Sequence, residues 1–273
     1  MRRSGARIPL GLSDADAKVR PLEMGHVPHL YIPSPWESET LAVTSEQTHH
    51  LRRVLRAGVL TRVSYTDGRG SIGTGTLTSH GVRRGDEVAM GKPSPVLTVA
   101  VAPPQASDRA RFIVEKLGEL GVDRLVWLTT KYGQSKPPGA DKAARWAIGA
   151  LEQSRGSWLM PIEGPVSLIG LPPSTWLLHP GGGPLPPPSE QVTLAIGPEG
   201  GFSTEELALV VTTIGLGARV LRVETAAVVA AGLVLGHLGR MGTERDIFCS
   251  ISGIISRRVT NRSGCRRGSG TLS

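Results

Sequence analysis

Cysteine is scarce in this chain: two in 273 residues, Cys249 and Cys265, both near the C-terminal end. Such a pair makes no disulfide framework, and no Cys/His cluster has zinc-ligand spacing, so stapled secreted scaffolds and zinc modules are excluded. A reducing cytoplasm is the expected setting. Long apolar runs are also missing; none approaches the roughly 18 residues of a membrane-spanning helix. The opening MRRSGARIPLGLSDADAKVR is basic but has no apolar h-region, which argues against a secretory signal. Gly 35 and Pro 21 together make about a fifth of the chain, short of low complexity. No internal repeat is present.

What remains is globular composition, 39% apolar and 20% charged, with a net charge of +8. That charge is uneven. Residues 241–273 hold six arginines against Glu244 and Asp246, and residues 1–24 are also net basic. Both ends read as weakly structured, 1–27 as a flexible extension and 241–273 as a disordered basic tail. The tail is either inert or an arm for RNA phosphates. Ordered patterning becomes clearer from Met24 onward.

Two styles of structure follow. Residues 28–95 carry short β-type runs (LAVTS, TRVSYTDGRG, GTGTLTS, DEVAMG) with the turn dipeptide Asp67-Gly68, predicting a small β-rich domain. From 96 to 240 strands alternate with helices: VLTVAVAP, a helix from Asp108, DRLVWLTT, a helix over 140–153, TWLLHP, VTLAIGP, a helix over 204–214, ARVLRV, and a helix over 225–238 capped by Thr225. This predicts an α/β domain with a largely parallel sheet and helices on both faces.

Three places carry chemistry. Residues 45–56 (SEQTHHLRRVLR) predict a helix with Leu51, Val54 and Leu55 facing a core and His49, Arg52, Arg53 and Arg56 on the opposite side. Such a stripe suits a phosphate backbone, or is simply solvated. The second place is Ile196-Gly-Pro-Glu-Gly-Gly201, between an apolar strand and a helix whose start is set by the capping box Ser203/Glu206. Its glycines bare the main chain at a strand end, where α/β sheets bind ligands. It is neither G-x-G-x-x-G nor a Walker A loop. Pro198 removes a donor and Glu199 adds negative charge, so a cationic ligand suits it better than a phosphate. The third is a pair of turns: Leu178-His-Pro-Gly181, and Leu216-Gly217 leading through Val220-Leu-Arg-Val-Glu-Thr-Ala226 into an Ala-rich helix. Alternation puts Arg222 and Glu224 on one face of the expected strand end.

Together these residues resemble the RsmE type of 16S ribosomal RNA uracil-N3 methyltransferase, in the SPOUT class. His49-His50, Val54-Leu55-Arg56, Glu115-Lys116, Glu119-Leu-Gly-Val122, Arg145-Trp146 and Glu152-Gln-Ser154 also match, over roughly residues 28–238. Two segments depart from the usual pattern: Lys131-Tyr-Gly-Gln-Ser-Lys136 stands where an Arg-Ser pair is common, and Gln153-Ser-Arg-Gly156 reverses the usual Gly-Arg order. The resemblance implies a PUA-like β-barrel, a SPOUT domain with a C-terminal trefoil knot, and a homodimer. It further implies S-adenosylmethionine (SAM) held by Leu178, His179, Ile196, Gly197, Pro198, Glu199, Gly200, Gly201, Leu216, Gly217, Val220, Leu221, Arg222, Glu224, Thr225 and Ala226, with no metal. The implied partner is 16S rRNA in the small subunit, held by His49, Arg52, Arg53, Arg56 and Arg155. Methyl transfer to N3 of a uridine would then use Arg222 against developing negative charge, with Glu224 orienting it or taking the proton. A knotted 2′-O-ribose methyltransferase and a non-catalytic RNA-binding protein are the alternatives.

Overall fold

The computed structural model describes residues 27–54 and 58–241. The expected extension over 1–26, Leu55, Arg56 and the basic tail from 242 lie outside the described residues. Two sheets organise the remainder. The first contains β1 (His29–Tyr31), β2 (Thr40–Leu41), β3 (Arg62–Thr66), β4 (Ser71–Leu77) and β5 (Val82–Ala89), in the order β1-β3-β4-β5-β2. Only the β1–β3 pair is parallel. Leu30, Ile32, Leu41, Leu51, Val63, Tyr65, Leu77 and Val82 form its core. Asp67 makes the tight β3–β4 turn, its Oδ1 accepting from the amides of Arg69 at 2.7 Å and Ser71 at 2.9 Å.

The helix predicted over 45–56 changes character midway. An α-helical turn, α1 (Ser45–His49), passes into a π-helical segment, His50–Val54. Its start is set by a capping box that the sequence reading overlooked: Thr44 Oγ1 accepts from the Gln47 amide at 3.1 Å, and Gln47 Oε1 accepts from the Thr44 amide at 3.0 Å. Leu51 is buried as expected, while His49, His50, Arg52 and Arg53 are exposed.

The second sheet is wholly parallel. It contains β6 (Val96–Val101), β7 (Arg124–Thr129), β8 (Ile162–Ser167), β9 (Trp176–Gly183), β10 (Gln191–Ile196) and β11 (Thr212–Ile214), in the order β11-β9-β10-β6-β7-β8. The continuous apolar runs of β6 and β10 fit strands buried on both faces. The faces are covered unequally, unlike the expectation of helices on both. One face packs α2 (Ser107–Leu120), α5 (Val223–His237) and part of α3 (Ala140–Ser154) against the largest core cluster. The other has only the short 3-10 turn Leu168–Gly170 and the single-turn helix α4 (Thr204–Leu207), over a smaller cluster with Leu177, Ala195 and Phe202.

Three elements differ from expectation. The helix predicted over 204–214 stops after one turn, because Thr212–Ile214 pairs with β9 as an edge strand. ARVLRV is not a strand; it is a loop, and the Arg222/Glu224 alternation belongs to a loop running into a helix. Thr225 is not the cap, because α5 begins at Val223 with Arg222 in the N-cap position.

The two sheets meet along the end of α3 and the stretch after it. Tyr31 N donates to Glu152 Oε1 at 2.8 Å, Gly70 N to Ser157 O at 2.9 Å, and Leu159 N to Gly68 O at 2.9 Å. Gln47 Nε2 reaches Tyr31 O at 2.8 Å and Glu152 Oε1 at 3.3 Å. His29 is sealed in this junction, with ring contacts to Ser64 Oγ at 2.8 Å and Gly156 O at 3.2 Å. Burial lowers its pKa from 6.5 to about 4; the Gly156 carbonyl opposes the shift and the Arg155 charge adds to it. As pH falls through 6.5 the unfolded chain gains a proton that the folded ring refuses until about 4. His29 therefore contributes fully above pH 6.5, and its contribution is lost as pH falls across that window. The loss amounts to about 3 kcal/mol. Urea melts from pH 7 to pH 4 should show wild type losing about that much more stability than His29→Gln; parallel profiles would contradict this.

Candidate functional site

The three glycine-bearing turns come together at one end of the parallel sheet. Strands β9 and β10 are adjacent, with Leu178 in register with Ile196, so the turns that follow them lie side by side. The third joins by close backbone approach. Gly215 N donates to Gly183 O at 3.0 Å, and a Cβ on Gly215 would lie 2.7 Å from Gly182 O. Bulkier residues would force these segments apart. Gly201 (φ +72°) and Gly217 (φ +103°) also take left-handed conformations that L side chains avoid.

Between the turns lies a cavity of about 170 Å³. It is lined by Leu178, His179, Ile196, Gly197, Pro198, Glu199, Gly201, Leu216, Gly217, Val220, Leu221 and Ala226, all expected from the sequence. Pro180, Phe202, Ala218, Arg219 and Val223 complete the lining. Phe202 follows directly on the glycine pair, and its ring would lie 2.9 Å from a Cβ on Gly197. The only cue to it was an apolar residue just before a capping box.

Gly200, Arg222, Glu224 and Thr225 do not line this cavity. Gly200 turns to a neighbouring cleft and Thr225 is exposed. Arg222 is exposed and stands between two lining residues, Leu221 and Val223, at the start of α5. Glu224 does not meet Arg222 as the alternation suggested. Its side chain is 12% exposed and Oε1 lies 3.6 Å from Arg109 Nε on α2, while Oε2 is buried without a hydrogen-bond partner. Helical phase sends consecutive even positions to different neighbours, whereas a strand would have aligned them.

The neighbouring cleft, of about 500 Å³, shares Pro198 and Glu199 with the first cavity and adds Lys131, Tyr132, Gln134 and Ser135 from the segment after β7. One carboxylate joins its two sides: Glu206 Oε1 accepts from the Lys131 amide and Oε2 from the Ser203 amide, both at 2.8 Å. Lys131 Nζ lies 3.1 Å from Glu205. The Glu205 carboxyl is held at about 2 by its own backbone amide first, then by Ser203 and Lys131.

Of the cations expected to meet RNA, His49, Arg52 and Arg53 are exposed together on the first unit, and Arg56 lies outside the described residues. Arg155 is half-buried in the left-handed C-cap of α3 (φ +58°), with Nη2 donating to Val27 O at 3.1 Å. Its guanidinium is thus engaged at the junction between the sheets.

A family model for an RNA methyltransferase domain matches residues 92–235. The ribosomal RNA small subunit methyltransferase E of a Synechocystis species is 31% identical over 218 residues, covering 70% of this chain and 71% of the relative. The chain belongs to this RNA methyltransferase family. Among solved structures, a candidate rRNA methyltransferase of Porphyromonas gingivalis is similar at 27% identity and TM-score 0.69, covering 78% of this chain and 99% of the other. A candidate methyltransferase of Legionella pneumophila, solved with bound SAM, is similar at 26% identity and TM-score 0.68, covering 77% and 97%. The mixed architecture, a curled sheet beside a parallel one, is therefore that of the family. The family match spans both the glycine turns and the helices beneath them.

Proposed function

We propose that this chain is a SAM-dependent rRNA methyltransferase that modifies N3 of a uridine in the decoding region of 16S rRNA. The observation that carries the cofactor assignment is the convergence of three bare turns on one cavity. The cavity fits the group: apolar side chains and exposed main chain form its walls, and Glu199 supplies negative charge on the rim, suited to a sulfonium. When bound there, SAM supplies an electrophilic methyl group. Leu178, Ile196, Leu216 and Leu221 would enclose it, and the backbone around Gly197, Gly201 and Gly217 would approach it closely. Arg222, on the rim, stabilises the negative charge that develops on the uracil ring as the N3 proton leaves. Glu224, paired with Arg109, holds the first turn of α5 in place and so positions Arg222.

Residues 28–95 act as a PUA-like RNA-holding domain and 96–240 as a SPOUT methyltransferase domain with a trefoil knot. The close backbone approach between the segments at Gly182 and Gly215 is the kind of packing that a knotted path requires. His49, Arg52, Arg53 and Arg56 hold the RNA, whereas Arg155, expected among them, is engaged at the junction between the sheets. The protein works as a cytoplasmic homodimer; Val229 and Leu233 on α5 and Phe112 on the neighbouring α2 are exposed apolar side chains suited to a second copy. No helix among the described residues is long and apolar enough to cross a membrane.

Nucleoside mass spectrometry of small-subunit RNA, from cells with and without the gene, tests the function. Loss of 3-methyluridine alone is expected. Loss of a 2′-O-methylated nucleoside would favour the ribose-modifying alternative, and an unchanged profile would favour a non-catalytic role.

A further inference from the structure

One end of the first sheet carries an apolar tip in a strained loop. Residues 58–61 lead into β3, and Val59 and Leu60 are 64% and 70% exposed. Leu60 has φ +73°, a left-handed conformation that costs a leucine free energy. Among the described residues, the other non-glycine with positive φ is Arg155, whose guanidinium is bonded to Val27 O. Leu60 has no comparable contact, since most of its side chain faces solvent. The loop is nevertheless held in place. Leu60 N donates to Leu77 O and Leu77 N to Thr61 O, both at 2.8 Å. Folding alone does not favour a leucine there.

Cations stand around the same end. Arg62 is in register with Thr76, and Thr76 with Arg83, so both arginines lie on one face of the sheet. Neighbouring strands are about 4.8 Å apart, which puts the two arginine backbones roughly 10 Å from each other. Both are exposed, and among the described residues neither pairs with a carboxylate, although Glu39 flanks the Thr40 opposite Arg83. Arg84, one position on, is instead held by Glu87. The turn that follows Leu77 presents an exposed His80. Upstream, the exposed Arg53 is separated from Val59 by at most about 22 Å of extended chain.

An aliphatic tip among unpaired cations suits a polyanion whose apolar surface is open. Paired RNA keeps its base faces stacked inside, whereas an unpaired stretch displays them between its phosphates. We propose that this end of the first sheet binds an unpaired stretch of the substrate RNA, with Val59 and Leu60 against its bases and Arg62 and Arg83 on its phosphates. This rests on the reading of the chain as a SAM-dependent rRNA methyltransferase. It adds an apolar base contact to the cationic contacts assigned to His49, Arg52 and Arg53.

The experiment measures affinity for small ribosomal subunits from cells lacking the gene, across a range of salt concentrations, with SAM affinity followed by calorimetry. Leu60→Gly relieves the strained backbone and so keeps the fold. Combined with Val59→Ser, it should weaken subunit binding roughly 5- to 30-fold at an unchanged salt slope. Arg62→Gln with Arg83→Gln should instead lower the slope of log affinity against log salt by about 1 to 2. Both variants should keep wild-type SAM affinity; its loss would tie this end of the sheet to the cofactor cavity and overturn the proposal. With Val59→benzoylphenylalanine, irradiation should join the protein to 16S rRNA. A cross-link to protein alone, ribosomal or a second copy of this chain, would contradict an RNA contact. Wild-type subunit affinity in the Val59/Leu60 variant, or a wild-type salt slope in the arginine variant, would sink this proposal and leave the functional reading standing. Wild-type protein that neither binds SAM nor methylates the subunits would sink both.

Discussion

Replacing Gly197 with valine is expected to weaken SAM binding at least about 100-fold while leaving a folded protein. An added Cβ would stand 2.9, 3.1 and 3.3 Å from three atoms of the Phe202 ring. Phe202 is 8% exposed and packs with Leu177 and Ala195, so it cannot retreat into the core without displacing them. Gly197 and Phe202 both line the cavity, so the remaining escape for the ring is into the ligand's space. Overpacking of this kind costs about 1–3 kcal/mol of stability, which a domain of this size should survive. Circular dichroism would report the fold and calorimetry the binding. Wild-type affinity in the folded variant would mean that the cavity beside Phe202 is not the cofactor site.

Replacing Arg222 with alanine should separate chemistry from binding. Arg222 is exposed and does not line the cavity, so SAM affinity should change little. If its guanidinium offsets charge building on the uracil ring, its removal should lower kcat by about 100- to 1,000-fold, the size seen when one stabilising donor is removed. Arg222→Lys should recover part of this, because a point charge remains but the planar fork is lost. Single-turnover methylation with saturating SAM measures it. Near wild-type turnover in the alanine variant would remove Arg222 from the mechanism.

The parts of the site that were legible in the sequence are those written in local chemistry. Ser203 and Glu206 mark a helix start because a capping box needs only four consecutive residues, and both its hydrogen bonds are present. Adjacent glycines at 200–201 signalled positive φ, and Gly201 has φ +72°; that Gly182 meets the 214–215 backbone closely was not legible. Periodicity was less dependable. ARVLRV alternates like a strand, yet Val220, 90% exposed, and Leu221 both border the cavity, so the stretch has no two alternating faces. The 204–214 stretch lost its helix to sheet pairing, a tertiary preference that no local pattern encodes. β8 went unseen because its sequence, IEGPVS, is largely exposed and carries Gly164 and Pro165.

Long-range roles were hidden for the same reason. Glu152 reads as a helical carboxylate, but it accepts from Tyr31 N across 121 positions of sequence. Arg155 stands in a left-handed C-cap that ordinarily favours glycine. The family's usual Gly-Arg order would put glycine at that position. The reversal here coincides with a bond from the Arg155 guanidinium to Val27 O, tying α3 to the first sheet. Glu224, placed by alternation beside Arg222, instead answers Arg109 on α2.

The most direct measurement is a crystal structure of the protein grown with SAM. The account predicts density for one molecule per chain, enclosed by Leu178, Gly197 and Leu221 with Arg222 at the rim. Density lodged anywhere else, or a clean titration showing no binding in solution, would contradict it.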